Sequence, residues 1–392
     1  MLMSKISNLF IAIASCLMLA GVQAEGKGFD REKYQEDLIS VIMDMEAVGA
    51  ATIVLKDGAT VYSGAFGESD RSMSVRKPFT VNSLVRAGEA SCPVISIAVM
   101  QLAEQGKVSL DADVSGYLGF SLRNPKNPSK AISLRMLLTG TSSITDEVSV
   151  GEISLFDASR NGEGTENLFT GRRPGSKYQE SPAAYAIAAA IVEKVSGQRF
   201  DLYAKEHIFD PLGIEAGYDA SHVSATQVAE SYHWNLSLKG YTSNPRTWLP
   251  LELDGYKLGE STFNLHPQNG LIISAEGLAK LIDAVMKCGV CPSGKRLYSE
   301  AAGKELLRQQ ANRKRQGLAF QYNTTSVPDY VITNSLGEYR GMSVSVYFNA
   351  KEKVALIAVC NGSHDSQPDS DGVIGNHFNR EMRNLFVKHL ID

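Results

Sequence analysis

Two short apolar runs, Gly49-Ala-Ala-Thr-Ile-Val-Leu55 and Ala59-Thr-Val-Tyr-Ser-Gly-Ala-Phe-Gly67, flank the turn pair Asp57-Gly58 and predict a β-hairpin. The spacing then becomes helical. Pro93-Val-Ile-Ser-Ile-Ala-Val-Met-Gln-Leu-Ala-Glu-Gln-Gly106 carries apolar residues at helical intervals and stops on a glycine. Ala183 to Ser196 is Ala-rich, with Ile187, Ile191 and Val195 on one stripe, and ends at Gly197. Ala275 to Lys287 predicts a third helix. Two strands follow, Gly341 to Phe348 and Val354 to Cys360, joined by Asn349-Ala-Lys-Glu-Lys353, and Gly375 to Leu390 closes the chain as a helix. Early and late strands most simply share one antiparallel sheet, flanked by helices and with a mainly helical region inserted between them. The expected class is therefore α/β in the α+β sense. One domain over 25–392 would draw its sheet from about 25–88 and 312–392 and its helical region from about 89–311. The seam between the two parts is the expected ligand cleft.

The first 24 residues do not belong to that fold. Lys5 precedes an unbroken apolar or small run from Leu9 to Val22, and Val22-Gln-Ala24 offers a cleavage site before Glu25-Gly-Lys27. Ile13-Ala-Ser-Cys16 loosely resembles a lipoprotein box, but cleavage there would leave Leu17-Met-Leu19 at the mature N-terminus, an unusual start. A signal peptide over 1–24 and a periplasmic or secreted protein are expected, with no later segment long enough to cross a bilayer.

Composition narrows the function. The 392 residues are 43% hydrophobic and 21% charged, with a net charge of −4 that becomes −5 once Lys5 is removed. That is too apolar and too nearly neutral for a disordered chain, and it lacks the basic excess of a nucleic-acid binder. Four cysteines would remain after cleavage, Cys92, Cys288, Cys291 and Cys360. Cys288-Gly-Val-Cys291 has no second pair to make a zinc site, and a small disulfide closing a turn is the expected use in an oxidising compartment. The seven histidines are scattered without metal-ligand spacing, and Asp369-Ser-Asp371-Gly372 lacks a calcium loop's full ligand set. No metal or cofactor is expected, and the acidic stretch Asp365 to Gly372 reads as a solvated loop.

Several landmarks in order carry a resemblance. They are Phe79-Thr-Val-Asn-Ser-Leu-Val-Arg86, Val99 to Leu118, Ile132-Ser-Leu-Arg-Met-Leu-Leu-Thr139, Pro174-Gly175, Ile191-Val-Glu-Lys-Val-Ser-Gly197, Pro211-Leu-Gly-Ile214 and Gly270-Leu-Ile-Ile-Ser274. Over nearly all of the mature chain the sequence resembles the serine β-lactamase and penicillin-binding-protein superfamily, in the class C-like branch of D,D-carboxypeptidases and esterases. The resemblance implies a nucleophilic serine with a lysine one turn later, a tyrosine from a YxN motif and a Lys or His from a K/H-x-G motif, an activated nucleophile beside its base.

Carried over residue by residue, the pattern breaks. Arg86-Ala-Gly-Glu-Ala-Ser-Cys-Pro93 puts Glu89 in the serine slot and Cys92 in the lysine slot. Ser91 is nearby, but its partner three residues on is Val94. Pro93 belongs in a first turn, so a helix start near Ser91 or Cys92 is expected. Between Pro174-Gly175 and Tyr185 the ungapped fit lays Glu180-Ser181-Pro182 on YxN. A two-residue slip would put Tyr178 in the tyrosine slot, but the bracketing makes it the aromatic just before the motif. In Asn334-Ser-Leu-Gly-Glu-Tyr-Arg340 the basic slot is Ser335 and only Gly337 survives. Thr139-Gly-Thr-Ser-Ser143 lacks the His that relatives commonly carry after the threonine.

The resemblance with these gaps implies a catalytically inactive homologue that binds a small or peptidoglycan-like ligand, or a protein partner. Two alternatives stay open. One is a rebuilt site using Glu89, Glu180 and Cys92, since paired carboxylates in a dry cleft can split acid and base roles. The other is an ordinary serine hydrolase in a shifted register, using Ser91 and Tyr178. A cleft lined by Glu89 and Glu180 would favour cationic or amine ligands.

Overall fold

Alternation of side chains across two neighbouring strands builds the centre of the molecule. In β1 (Gly49–Lys56) Ala51, Ile53 and Leu55 face one hydrophobic cluster, while Ala50 and Val54 face another. Its hairpin partner is β2 (Ala59–Asp70), so the predicted hairpin forms, with Ala59 opposite Lys56 across Asp57-Gly58. A computed structural model describes residues 28–391 apart from 73–75, 146–167, 180, 236, 245–250, 252, 311–315, 324–329, 334–336, 340 and 365–376.

The remaining strands in chain order are β3 (Lys77–Pro78), β4 (Val85–Arg86), β5 (Ala216–Gly217), β6 (Tyr232–Asn235), β7 (Gly240–Ser243), β8 (Ile272–Ile273), β9 (Phe320–Asn323), β10 (Tyr330–Thr333), β11 (Gly337–Tyr339), β12 (Met342–Asn349) and β13 (Val354–Cys360). The main sheet runs β3-β2-β1-β13-β12-β10-β9, with β11 also paired to β12. Its ladders are antiparallel, and β1 lies directly against β13 in the register Ala50↔Cys360 to Lys56↔Val354. The two ends of the chain therefore share one sheet, as the hydrophobic pattern predicts.

The longer helices are α1 (Arg31–Asp44), α2 (Cys92–Glu104), α3 (Pro182–Ser196), α4 (Ala275–Met286), α5 (Glu300–Leu307) and α6 (His377–Leu390). Asp30 caps α1 by accepting from Lys33 N at 2.9 Å, and Gly197 ends α3 in the left-handed region that a Cβ would strain. On one face of the sheet Tyr34, Leu38 and Ile42 of α1 mesh with Phe378, Met382 and Phe386 of α6 over Val54, Leu356 and Ala358. The opposite face carries α4, with α2 and α3 packed behind it in the larger core. Helix α1 lies outside the elements read from the sequence. So does the three-stranded sheet β4-β8-β5, whose two-residue strands are joined at long range and leave no local periodicity. No helix among the described residues is long and apolar enough to cross a membrane.

Candidate functional site

Strand β4 leads into a 3-10 turn, Gly88–Ser91, which runs directly into α2 at Cys92. Pro93 sits in the first turn of that helix, where its missing N–H costs nothing, so the helix begins where the proline requires. Every residue from Cys92 to Leu102 is buried. The helix is an apolar rod, and in the turn ahead of it Glu89 alone is not fully buried.

Three fixed groups hold that turn. The Arg86 side chain is 4% exposed, and its Nη1 donates to Gly270 O at 2.7 Å and Tyr218 O at 3.2 Å, tying β4 to the segment before β8. Ser91 Oγ donates to Gly88 O at 2.5 Å and accepts from Leu271 N at 3.1 Å. Cys92 Sγ, in a residue 2% exposed, lies 3.4 Å from Gln268 O and donates to it. Glu89 is the residue of the turn left half-buried, between the buried Gly88 and Ala90. The backbone of β11 passes within 8 Å of this turn, Cα to Cα.

Beneath Cys92 the surroundings are polar but short of donors. Gln268 Oε1, Asn269 Oδ1 and Tyr218 Oη are buried without a hydrogen-bond partner. Burial pushes the Tyr218 phenol well above its ordinary value, with Cys92 adding a smaller effect in the same direction.

The turn Thr139-Gly140-Thr141 packs against the approach to α3. Gln179 N donates to Gly140 O at 2.7 Å, Tyr185 Oη to Leu138 O at 3.2 Å and Ala319 N to the same carbonyl at 3.0 Å. Tyr178 is half-buried and its Oη accepts from Gln321 Nε2 at 2.9 Å. Ser181 caps α3 by accepting from Ala184 N at 3.3 Å, and Pro182 occupies the helix's first position. Both residues are thus committed to starting the helix.

The structure therefore brings Glu89, Ser91 and Cys92 together at one turn beside the backbone of β11, and packs Tyr178 against Gly140 and Gln321. Glu180, Ser335, the segment 1–24 and the acidic stretch 365–372 lie outside the described residues. Cys288 and Cys291 are free thiols here, so the bridge expected from their spacing is not formed. Cys291 turns into the core at 3% exposed, whereas Cys288 sits half-exposed just past α4 with φ of 51°. Sequence reasoning did not single out Arg86, Gln268 or Gln321 as site residues. Each acts through a partner more than 140 positions away, and a single sequence carries no signal for that. Among the described residues, no group of three or more His, Cys, Asp or Glu gathers closely enough to hold a metal ion.

A sheet made from both chain ends, a buried helix behind a tight turn and a helical insertion define a β-lactamase or transpeptidase-like fold. The Beta-lactamase family model matches residues 36–374, and the chain belongs to that family. It is 29% identical to Esterase EstB of Burkholderia gladioli over 212 residues, 49% of this chain and 52% of the esterase. With Penicillin-binding protein 4 of Amycolatopsis lactamdurans it shares 25% over 290 residues, 72% and 70% of the two chains. The chain thus spans about half the length of EstB and somewhat more of the penicillin-binding protein. The crystal structure of FmtA from Staphylococcus aureus superposes with a TM-score of 0.66 at 17% identity, over 94% of this chain and 93% of that one.

Proposed function

We propose that this chain is an exported member of the Beta-lactamase family that has lost acyl transfer and works by binding a ligand or partner in its cleft. One observation carries the reading: the turn that would present a nucleophile offers no free hydroxyl. Ser91 is fully buried, with its proton on Gly88 O and a lone pair on Leu271 N. A nucleophile needs an accessible oxygen beside a base, and here the half-exposed residue is a carboxylate, Glu89. In the register that places Glu89 in the serine slot, Cys92 fills the lysine slot, and its thiol is spent on Gln268 O. Ester hydrolysis and penicillin binding are named for EstB and Penicillin-binding protein 4. The present reading keeps a cleft of that kind and drops the hydrolysis.

Labelling with a fluorescent penicillin and with a fluorophosphonate tests the loss of acylation. Neither is expected to leave a covalent adduct, and an adduct on any serine overturns the proposal. The half-exposed position of Glu89 beside β11 favours a second reading, a rebuilt site pairing Glu89 with Glu180. Turnover of p-nitrophenyl esters that disappears in Glu89→Gln would establish it. Burial of Cys92 weighs against a thiol nucleophile in either reading. A cleft carrying those two carboxylates would take an amine-bearing, cell-wall-derived ligand. Calorimetry with amine-bearing muropeptides should then give salt-sensitive heat, and its absence would remove the amine preference.

A further inference from the structure

Away from the turn at Glu89, a cavity of about 620 Å³ opens between the segment carrying Lys130 to Met136, the Arg173–Gly175 loop and the end of α5. None of Glu89, Ser91, Cys92 or Tyr178 lines it. Four cations do: Lys130, Arg135, Arg173 and Arg308. Two of them are already neutralised. Arg135 forks onto Asp111 through Nε at 2.7 Å and Nη2 at 2.8 Å and reaches Glu305 at 2.5 Å, while Arg308 holds the same Glu305 at 2.6 and 2.8 Å. Two arginines and two carboxylates balance. Lys130 and Arg173 have no carboxylate partner among the described residues, so the cavity keeps a surplus of two positive charges in a protein that is negative overall.

The rest of the lining agrees in chemistry. Ser133, 6% exposed, accepts from Met136 N at 3.3 Å, which leaves its own proton free to donate into the cavity. Met136 and Pro174 supply an apolar wall. A bare oxyanion fills only a small part of this space, which lies in the range of small-molecule sites. Two unpaired cations call for a dianion, and a phosphomonoester is close to dianionic at neutral pH and accepts from both a lysine and a guanidinium fork.

We propose that this cavity is a binding site for a small organic phosphomonoester, with Lys130 and Arg173 holding the phosphate and Ser133 donating to it. Thr139 and Thr141 also line the cavity, but none of the three residues proposed to hold the phosphate belongs to the Glu89 turn, so the proposal does not rest on the reading given to that turn. The test is calorimetric titration of the full chain at constant ionic strength with glucose 6-phosphate, inorganic phosphate and glucose. Glucose 6-phosphate is expected to bind saturably, inorganic phosphate more weakly and glucose not at all. Lys130→Gln/Arg173→Gln should weaken glucose 6-phosphate about tenfold or more, the scale of losing a charge-assisted hydrogen bond. Arg380→Gln, a charge change on α6, should leave it unaltered, and thermal melts will show that each variant is folded. Absence of saturable binding up to about 10 mM, or unchanged binding in the folded double variant, overturns the proposal. Equal affinity for inorganic phosphate and the sugar ester would also overturn it, because the cavity would then hold the ion alone.

Discussion

The ring of Tyr178 packs onto Gly140 so closely that a Cβ at position 140 would stand 2.7 Å from its Cε2. The backbone agrees with the contact, since Gly140 has φ of 61°, where a side chain is strained. The glycine after Thr139 and the tyrosine near the start of α3 are therefore one packing arrangement. A histidine at 140 and Tyr178 in its present place exclude each other.

Gly140→His is accordingly expected to destabilise the protein by about 2 kcal/mol or more, combining left-handed strain with ring overlap. Removing the ring should return part of that loss, so Gly140→His/Tyr178→Ala melts higher than additivity of the two single changes predicts. Urea denaturation of the four proteins measures the coupling. Strict additivity would show that the two residues do not share the site.

Ser91 gives a prediction of opposite character. Ser91→Ala deletes both hydrogen bonds of the hydroxyl and strands Leu271 N, a buried donor, at a cost of about 1–3 kcal/mol. Ligand binding in the cleft should persist, since the hydroxyl faces the protein interior. A stable Ser91→Ala variant that lost a covalent labelling reaction would instead make Ser91 a nucleophile.

What the sequence made legible divides along physical lines. Strands and helices with their own periodicity, β1, β2, β12, β13 and α2 to α4, were readable because their apolar spacing is local. That early and late strands share one sheet followed from the same alternation, and in the structure Ile53 pairs with Ile357. The position of the helix start was readable from Pro93. Burial of Ser91 was not, because its partner Leu271 lies 180 residues away and nothing near position 91 announces it. The same holds for the phosphate cavity. Lys130, Ser133 and Arg173 are unremarkable in their own segments, and the proposed site arises only where those segments converge.

Acid stability should report on Asp113. The Arg123 guanidinium beside it, helped by the Ser115 N–H, holds its carboxyl down at about 2, against about 3.9 in the unfolded chain. A depressed carboxylate stabilises the fold fully above the unfolded value, and the contribution fades as pH falls through the folded value. The Asp113 and Arg123 side chains are 36% and 25% exposed, so screening keeps the whole effect to about 1 kcal/mol at most. Asp113→Asn should therefore lower the urea midpoint by a constant amount from pH 5 to 7. The gap to the parent protein should narrow from pH 4 toward pH 2, and a gap that stays constant across that range would exclude the pair as its source.

Glu193 is the strongest stability prediction because its carboxylate is fully buried on an apolar helix. Its Oε1 accepts from Phe200 N at 2.8 Å and Tyr256 Oη at 2.6 Å, and its Oε2 from Gly259 N at 2.7 Å and Thr262 Oγ1 at 2.6 Å. Four donors from two segments converge on one group, and burial together with the neighbouring charge drives the Tyr256 phenol far above its ordinary value. Glu193→Gln keeps the shape but turns an NH2 toward one backbone N–H and one hydroxyl; the hydroxyl can rotate to accept, while the N–H is left unsatisfied in a dry site. A loss of about 2–4 kcal/mol is expected, with protease sensitivity appearing first around Tyr256 to Thr262, the segment the carboxylate holds. Glu193→Leu fills the space without any acceptor and should cost at least as much. If denaturant midpoints show either variant within about 0.5 kcal/mol of the parent, the scale of an ordinary surface change, the four hydrogen bonds are not what secures this segment against α3.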